Sequence, residues 1–229
     1  MSKKDTKIEF EEITGAKAVD HKGSSIENLQ VFFEKNKNAI FIGLAAVLLI
    51  GAGIFYYKTI YQPKAELAAN DAMFNAQYYF EQDSFELALN GDGGFLDVID
   101  NHGSTKAGNL ASYYAGLCYF NLGKYDEAIS HLKDFSTSDE VLGSLSIGVL
   151  ADAQMEKGDS KAALANYKKA ANFSKNEACA PYLLLKAGLA FESTGDKVEA
   201  NKLFSKLKSE FPNSDMARDI DKYIGRTSN

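Results

Sequence analysis

Cysteine is scarce in this chain. Cys118 and Cys179 are the only two among 229 residues. Two do not make a disulfide framework, and both read as small, buried apolar residues. Helical spacing places them two repeats apart, too far to bridge. Histidine is nearly as rare. His21, His102 and His131 are scattered, and none has a Cys, His or carboxylate at metal-ligand spacing. A basic excess is also lacking, since the net charge is -6. Up to Asn38 seven lysines balance seven acidic residues, so the region from Lys58 onward carries the whole -6. Such a domain has no basic footprint for nucleic acid. There is no phosphate-cradling glycine loop. The one glycine-dense stretch, NGDGG at Asn90 to Gly94, lacks the alternating ligands and closing Glu of a calcium loop and reads as a turn. No serine has His and Asp company in a recognisable pattern. Enzyme activity, a metal and a cofactor are therefore not expected, and no catalytic residue is assigned.

Long apolar runs are equally rare, and the single one organises the molecule. Ala39 to Tyr57 reads AIFIGLAAVLLIGAGIFYY, with no charge between Lys37 and Lys58. About 20 apolar residues in a helix span a hydrocarbon layer. A transmembrane helix is predicted over 38–58. The run is too long and too far from the start for a cleaved signal peptide, and no Cys follows closely for a lipid anchor. Phe32, Phe33, Phe55, Tyr56, Tyr57 and Tyr61 place aromatics at both interfaces, with Lys35, Lys37 and Lys58 just outside. Lys22, Lys35 and Lys37 before the run outnumber Lys58 and Lys64 after it. This bias predicts a cytoplasmic N-terminus and a C-terminal domain on the far side.

Residues 1–23 are polar and without period, which predicts a disordered tail. Over 24–37, Ser24 and Glu27 fit a capping box, and Ile26, Leu29, Phe32 and Phe33 share a helical face. Two readings are open: an amphipathic helix lying at the interface, or an extension of the membrane helix. Pro63 predicts a break or kink. A helix is expected from about Lys64 to Gln82 with Ala68, Ala72, Ala76 and Tyr79 on one stripe, then a short helix at Phe95 to Ile99.

Beyond this point the chain repeats. Gly123, Gly158 and Gly195 lie 35 and 37 residues apart. Seven residues before each stands Gly116, Ala151 or Gly188. Five after stands Ala128, Ala163 or Ala200, and four further on Leu132, Tyr167 or Phe204. The pattern resembles the tetratricopeptide repeat, with its period near 34 residues. Small residues let paired helices cross closely, and the glycine closes the first helix in a left-handed cap. The large residue is expected to fill space between neighbouring repeats. Pro212 sits where that family ends a repeat. The family's first-helix aromatic is replaced here by Ser112, Ile147 and Leu184. Ala76, Tyr79, Phe85 and Ala88 fit a degenerate earlier repeat interrupted by NGDGG. Asp215 to Ile224 would form a last, solvating helix. The predicted fold is all-α: one transmembrane helix, then an α-solenoid over 64–229 of three clear repeats, one degenerate N-terminal repeat and a C-terminal helix.

In tetratricopeptide-repeat proteins the first helices line a binding groove. The resemblance assigns to it Leu110, Tyr113, Leu117, Phe120 and Asn121 from the first repeat. The second contributes Asp152, Met155 and Glu156, and the third Tyr182, Leu185, Leu189 and Glu192. This surface is apolar with an acidic edge and lacks the carboxylate clamp of chaperone-tail-binding repeats. Either it is open to a protein partner, or the chain's own first or last helix covers it. The layout and the junction IENLQVFFEKNKNAIFIG also resemble the YfgM family of bacterial inner-membrane proteins. That resemblance implies a non-catalytic scaffold or chaperone beside the SecYEG translocon, with a PpiD-like periplasmic chaperone and nascent secreted chains as partners. A cell-envelope or outer-membrane assembly adaptor and a cytoplasm-facing adaptor are the alternative readings.

Overall fold

The structure, a computed structural model, describes residues 21–173 and 175–228, with side chains from residue 29 onward. Residues 1–20 of the expected tail lie outside the described residues, as do the side chains of Ser24 and Glu27. The chain divides into two compact units, one ending at Thr59 and the other Ile60–Asn229.

The first unit is a helix, α1 (His21–Tyr56). Residues 24–37 are one helix with the apolar run, and helix already begins at His21, so Ser24 is not its N-cap residue. One helical stretch of the described chain, within Leu29–Glu81, is long and apolar enough to cross a membrane, and none of its most apolar window is buried. Tyr57–Tyr61 is wound as a π-helix, and α2 (Gln62–Glu81) follows with Pro63 in its first turn. The expected break is instead a local change of winding. Proline has no N–H, and its ring crowds the carbonyl four residues back. A π turn just before it is one way to relieve that conflict.

The second unit is built of helical pairs. They are α2 with α3 (Phe85–Asn90), α5 (Lys106–Asn121) with α6 (Tyr125–Asp134), α7 (Glu140–Glu156) with α8 (Ser160–Phe173), and α9 (Ala180–Ser193) with α10 (Lys197–Glu210). Helix α4 (Phe95–His102) lies between the first two pairs. A 3-10 turn (Asp215–Ala217) and α11 (Ile220–Thr227) close the end. The last helix is therefore later and shorter than Asp215 to Ile224. Each pair packs on the next, and α5, α7 and α9 also touch in succession. No strand occurs among the described residues.

The turns explain the repeat. Gly123, Gly158 and Gly195 have φ of 72°, 89° and 90°, a region that costs a residue with a Cβ and not glycine. In each turn the next residue's N–H reaches back to the first helix: Lys124 to Tyr119 O, Asp159 to Gln154 O and Asp196 to Phe191 O. Asp83 takes the same role in the degenerate repeat, with φ 53° and Ser84 N–H donating to Tyr79 O. Ala76 and Ala88, seven before and five after it, are fully buried. NGDGG then splits that repeat's second helix, and α4 supplies the missing packing through Phe95, which stacks on Tyr114 at 5.1 Å. The buried stripe of α2 is Ala69, Met73 and Ala76; Ala68 is exposed.

Small residues sit where helices of one pair cross. A Cβ built on Gly116 would lie 2.6 Å from Leu132 Cγ, and one on Gly188 would lie 2.4 Å from Phe204 Cε1. Leu132 and Phe204 therefore fill the space inside their own pair, as well as facing the next. Ser112 and Leu184, in place of the family's aromatic, are both buried. Cys118 and Cys179 are both buried and form no disulfide with each other, and burial raises the Cys118 thiol to about 12. His131 is half-buried. Its ring stacks on Tyr119 at 5.3 Å, and burial lowers its pKa.

A carboxylate that carries no periodic signature joins α2 to the stack. Glu66 accepts from Lys106 N at 2.8 Å and from Ala107 N at 2.9 Å. These are free amides at the start of α5, where the helix dipole also favours negative charge.

Candidate functional site

The first-helix face was expected to carry binding residues, and packing divides them into two groups. Some are engaged by the fold. Tyr113 is only 8% exposed; its ring lies 5.2 Å from Phe135, and burial raises its phenol pKa. Leu110 and Leu117 pack beside it, half-buried. Leu185 is half-buried against the core of the last two repeats. Asn121 is exposed, with its amide donating to Leu117 O of its own helix.

Asp152 is the centre of a polar lock between the second and third repeats. Its Oδ1 accepts from the Tyr167 hydroxyl at 2.6 Å, and its Oδ2 from Lys186 Nζ at 2.6 Å. Lys186 also donates to Tyr182 Oη at 3.1 Å and lies over that ring, 5.4 Å from its centre. Burial pulls the Lys186 pKa down, but the hydrogen bonds to Asp152 and Tyr182 outweigh it and leave it raised. The Tyr167 phenol is raised strongly, first by burial and then by Asp152. Glu192 is likewise engaged: Arg226 of α11 grips it with two nitrogens, Nη2 lying 2.6 Å from Oε2. Arg226 also covers Tyr223 at 5.0 Å.

The other group stays accessible. Tyr182 is 42% and Leu189 37% exposed. Phe120 and Met155 are half-buried and Glu156 exposed. Seven residues separate Tyr182 from Leu189, two turns of one helix, so they share a face of α9. The last helix thus takes Glu192 without burying Tyr182 or Leu189.

Two segments, 110–138 and 182–214, match the tetratricopeptide repeat family. They are the first and third repeats, about a quarter of the chain. The fold is a tetratricopeptide-repeat solenoid. The second repeat, between the matched segments, has the same left-handed glycine turn and buried Ala151 and Ala163, so its geometry follows its neighbours. No curated protein matches the chain. Solenoids of this kind are generally non-catalytic scaffolds that bind proteins. Among the described residues no group of His, Cys, Asp and Glu is placed to hold a metal ion.

Lys186 and Arg226 escaped sequence reasoning, and spacing marks Tyr167 only as a space-filling residue, not as a donor to Asp152. A weak signal existed for two of them: Lys186 and Arg226 each stand 34 residues after their acid, one repeat period on. Opposite charges one period apart in a solenoid face each other across neighbouring units.

Proposed function

We propose that this protein is a membrane-anchored, non-catalytic scaffold whose solenoid holds a protein partner on its first-helix face. The observation that carries this reading is the exposure of Tyr182 and Leu189 on α9, large side chains at positions that the chain's own last helix leaves uncovered. Large aromatic and aliphatic side chains dominate the energy of such interfaces. Together with the YfgM-like layout, this supports a place beside the SecYEG translocon at the bacterial inner membrane. The N-terminus is then cytoplasmic, the solenoid periplasmic, and a PpiD-like chaperone and emerging secreted chains are the partners.

Two measurements test it. Protease added to intact spheroplasts is expected to degrade the region after Lys58; protection until lysis reverses the topology. Purification in mild detergent is expected to bring down translocon subunits and a membrane-anchored periplasmic chaperone. Tyr182→Ser with Leu189→Ser should cut that yield about tenfold while the domain stays helical, the size of loss that removing two exposed anchors typically produces. Deletion of Met1 to Gly23 should matter less. Recovery of outer-membrane assembly factors in place of translocon subunits favours the envelope-adaptor reading. An unchanged yield from the double variant removes the first-helix face from the interface.

A further inference from the structure

At the junction of the first and second repeats a cavity of about 290 Å³ opens between α6 and α8, over α7. Its apolar lining includes Leu132, Phe135, Ile147, Leu150 and Phe173. Phe173 lies across Gly143, where a Cβ would come within 2.8 Å of its ring, and it remains 42% exposed. Ser146 also lines the cavity. The residue is 5% exposed.

Two cations complete the lining, Lys133 from α6 and Lys169 from α8. Neither has an ion-pair partner among the described residues. The next junction differs. There Lys168 of α8 pairs with Glu199 of α10 at 2.6 Å, and Lys206 donates to Asn172 at 2.7 Å. The first junction also holds an ion pair, Asp126 with Lys157, but at the cavity its two second helices present like charges, Lys133 and Lys169. The cavity therefore offers an apolar floor, the Ser146 side chain and two ammonium groups outside any ion pair.

We propose that this cavity is a second peptide-binding site, distinct from the first-helix face, and that it takes an acidic segment of a protein partner. Its occupant carries a bulky apolar side chain next to an Asp or Glu. The apolar group enters between Phe173 and Ile147. The carboxylate sits between Lys133 and Lys169 and accepts from Ser146. Charge complementarity selects the segment: the domain as a whole is acidic, and the two lysines at the cavity give an anionic peptide a local attraction.

The test uses the full chain in zwitterionic nanodiscs and a fluorescent peptide, Gly-Ser-Asp-Leu-Glu-Phe-Asp-Gly-Ser, followed by anisotropy. Saturable binding is expected. Lys133→Gln with Lys169→Gln, two exposed positions that leave the core intact, should weaken it about tenfold, as should replacing the peptide's acids by Asn and Gln. Ser146→Ala should weaken it by a smaller factor. Phe120→Ser, on the first-helix face, should leave it unchanged. The proposal is wrong if the peptide does not saturate, or if the lysine variant and the amide peptide bind like their parents. A loss caused by Phe120→Ser and not by the lysine variant would place the acidic peptide on the other face and equally overturn it.

Discussion

Replacing Gly188 by leucine is expected to unfold the third repeat. The first atom of any side chain there would stand 2.4 Å from Phe204 Cε1 and 2.7 Å from Cδ1. Phe204 has nowhere to go, because it is fully buried among Leu203, Leu207 and Ile220 and packs on Tyr223 at 5.3 Å. Overpacking of a filled core costs about 1–3 kcal/mol, and here the helices must separate to admit even a methyl group. Solenoid repeats lean on their nearest neighbours, so α11 should be lost with the third repeat. Ala128→Leu forces the same conflict into the α5–α6 crossing, where Ala128 is fully buried. His131→Ala removes one half-exposed ring stack, worth about 1 kcal/mol or less. Thermal unfolding followed by circular dichroism should show early loss of helix for the first two variants and little change for the third. Three similar melting temperatures would contradict the assigned register.

The second large effect is expected at Asp152. Asp152→Ala leaves the Tyr167 hydroxyl without its acceptor on a residue 6% exposed, and removes the counter-ion of Lys186. An orphaned buried donor costs about 1–3 kcal/mol. Both side chains of the ion pair keep some solvent, at 13% for Asp152 and 29% for Lys186, so the ionic part is screened and the lower half of that range applies. Chemical denaturation should show the loss. Adding Tyr167→Phe should recover part of it, because the hydroxyl left without a partner is then gone. Strict additivity of the two substitutions would show that the bond contributes nothing. The lock also sets an alkaline limit. Tyr167 and Lys186 both hold their protons more tightly folded than unfolded. Their contribution is full below the unfolded values near pH 10 and is lost as pH rises through the folded ones. The Asp152→Ala variant should lose less stability than the parent over that alkaline range.

The features that sequence alone determined are those written locally in the backbone. The apolar run from Ala39 to Tyr57 needs no partner to be read, because a helix satisfies its own hydrogen bonds. The glycine turns declared themselves because a left-handed cap strongly favours one residue type, and the small residues seven before and five after follow from helical geometry. Even the degenerate repeat was legible through Ala76 and Ala88, although its turn uses Asp83, which no glycine search finds. Tertiary structure decided which polar and aromatic side chains remain free. Asp152, Glu192 and Tyr113 occupy groove positions by the family resemblance, yet the first two bind Lys186 and Arg226 and the third is buried beside Phe135. Glu66 reaches the start of α5 across 40 residues. Helical periodicity reports which face a residue occupies, but the partner on the facing helix depends on how the pairs stack. The same dependence leaves Lys133 and Lys169 unpaired at one junction and joins Lys168 to Glu199 at the next.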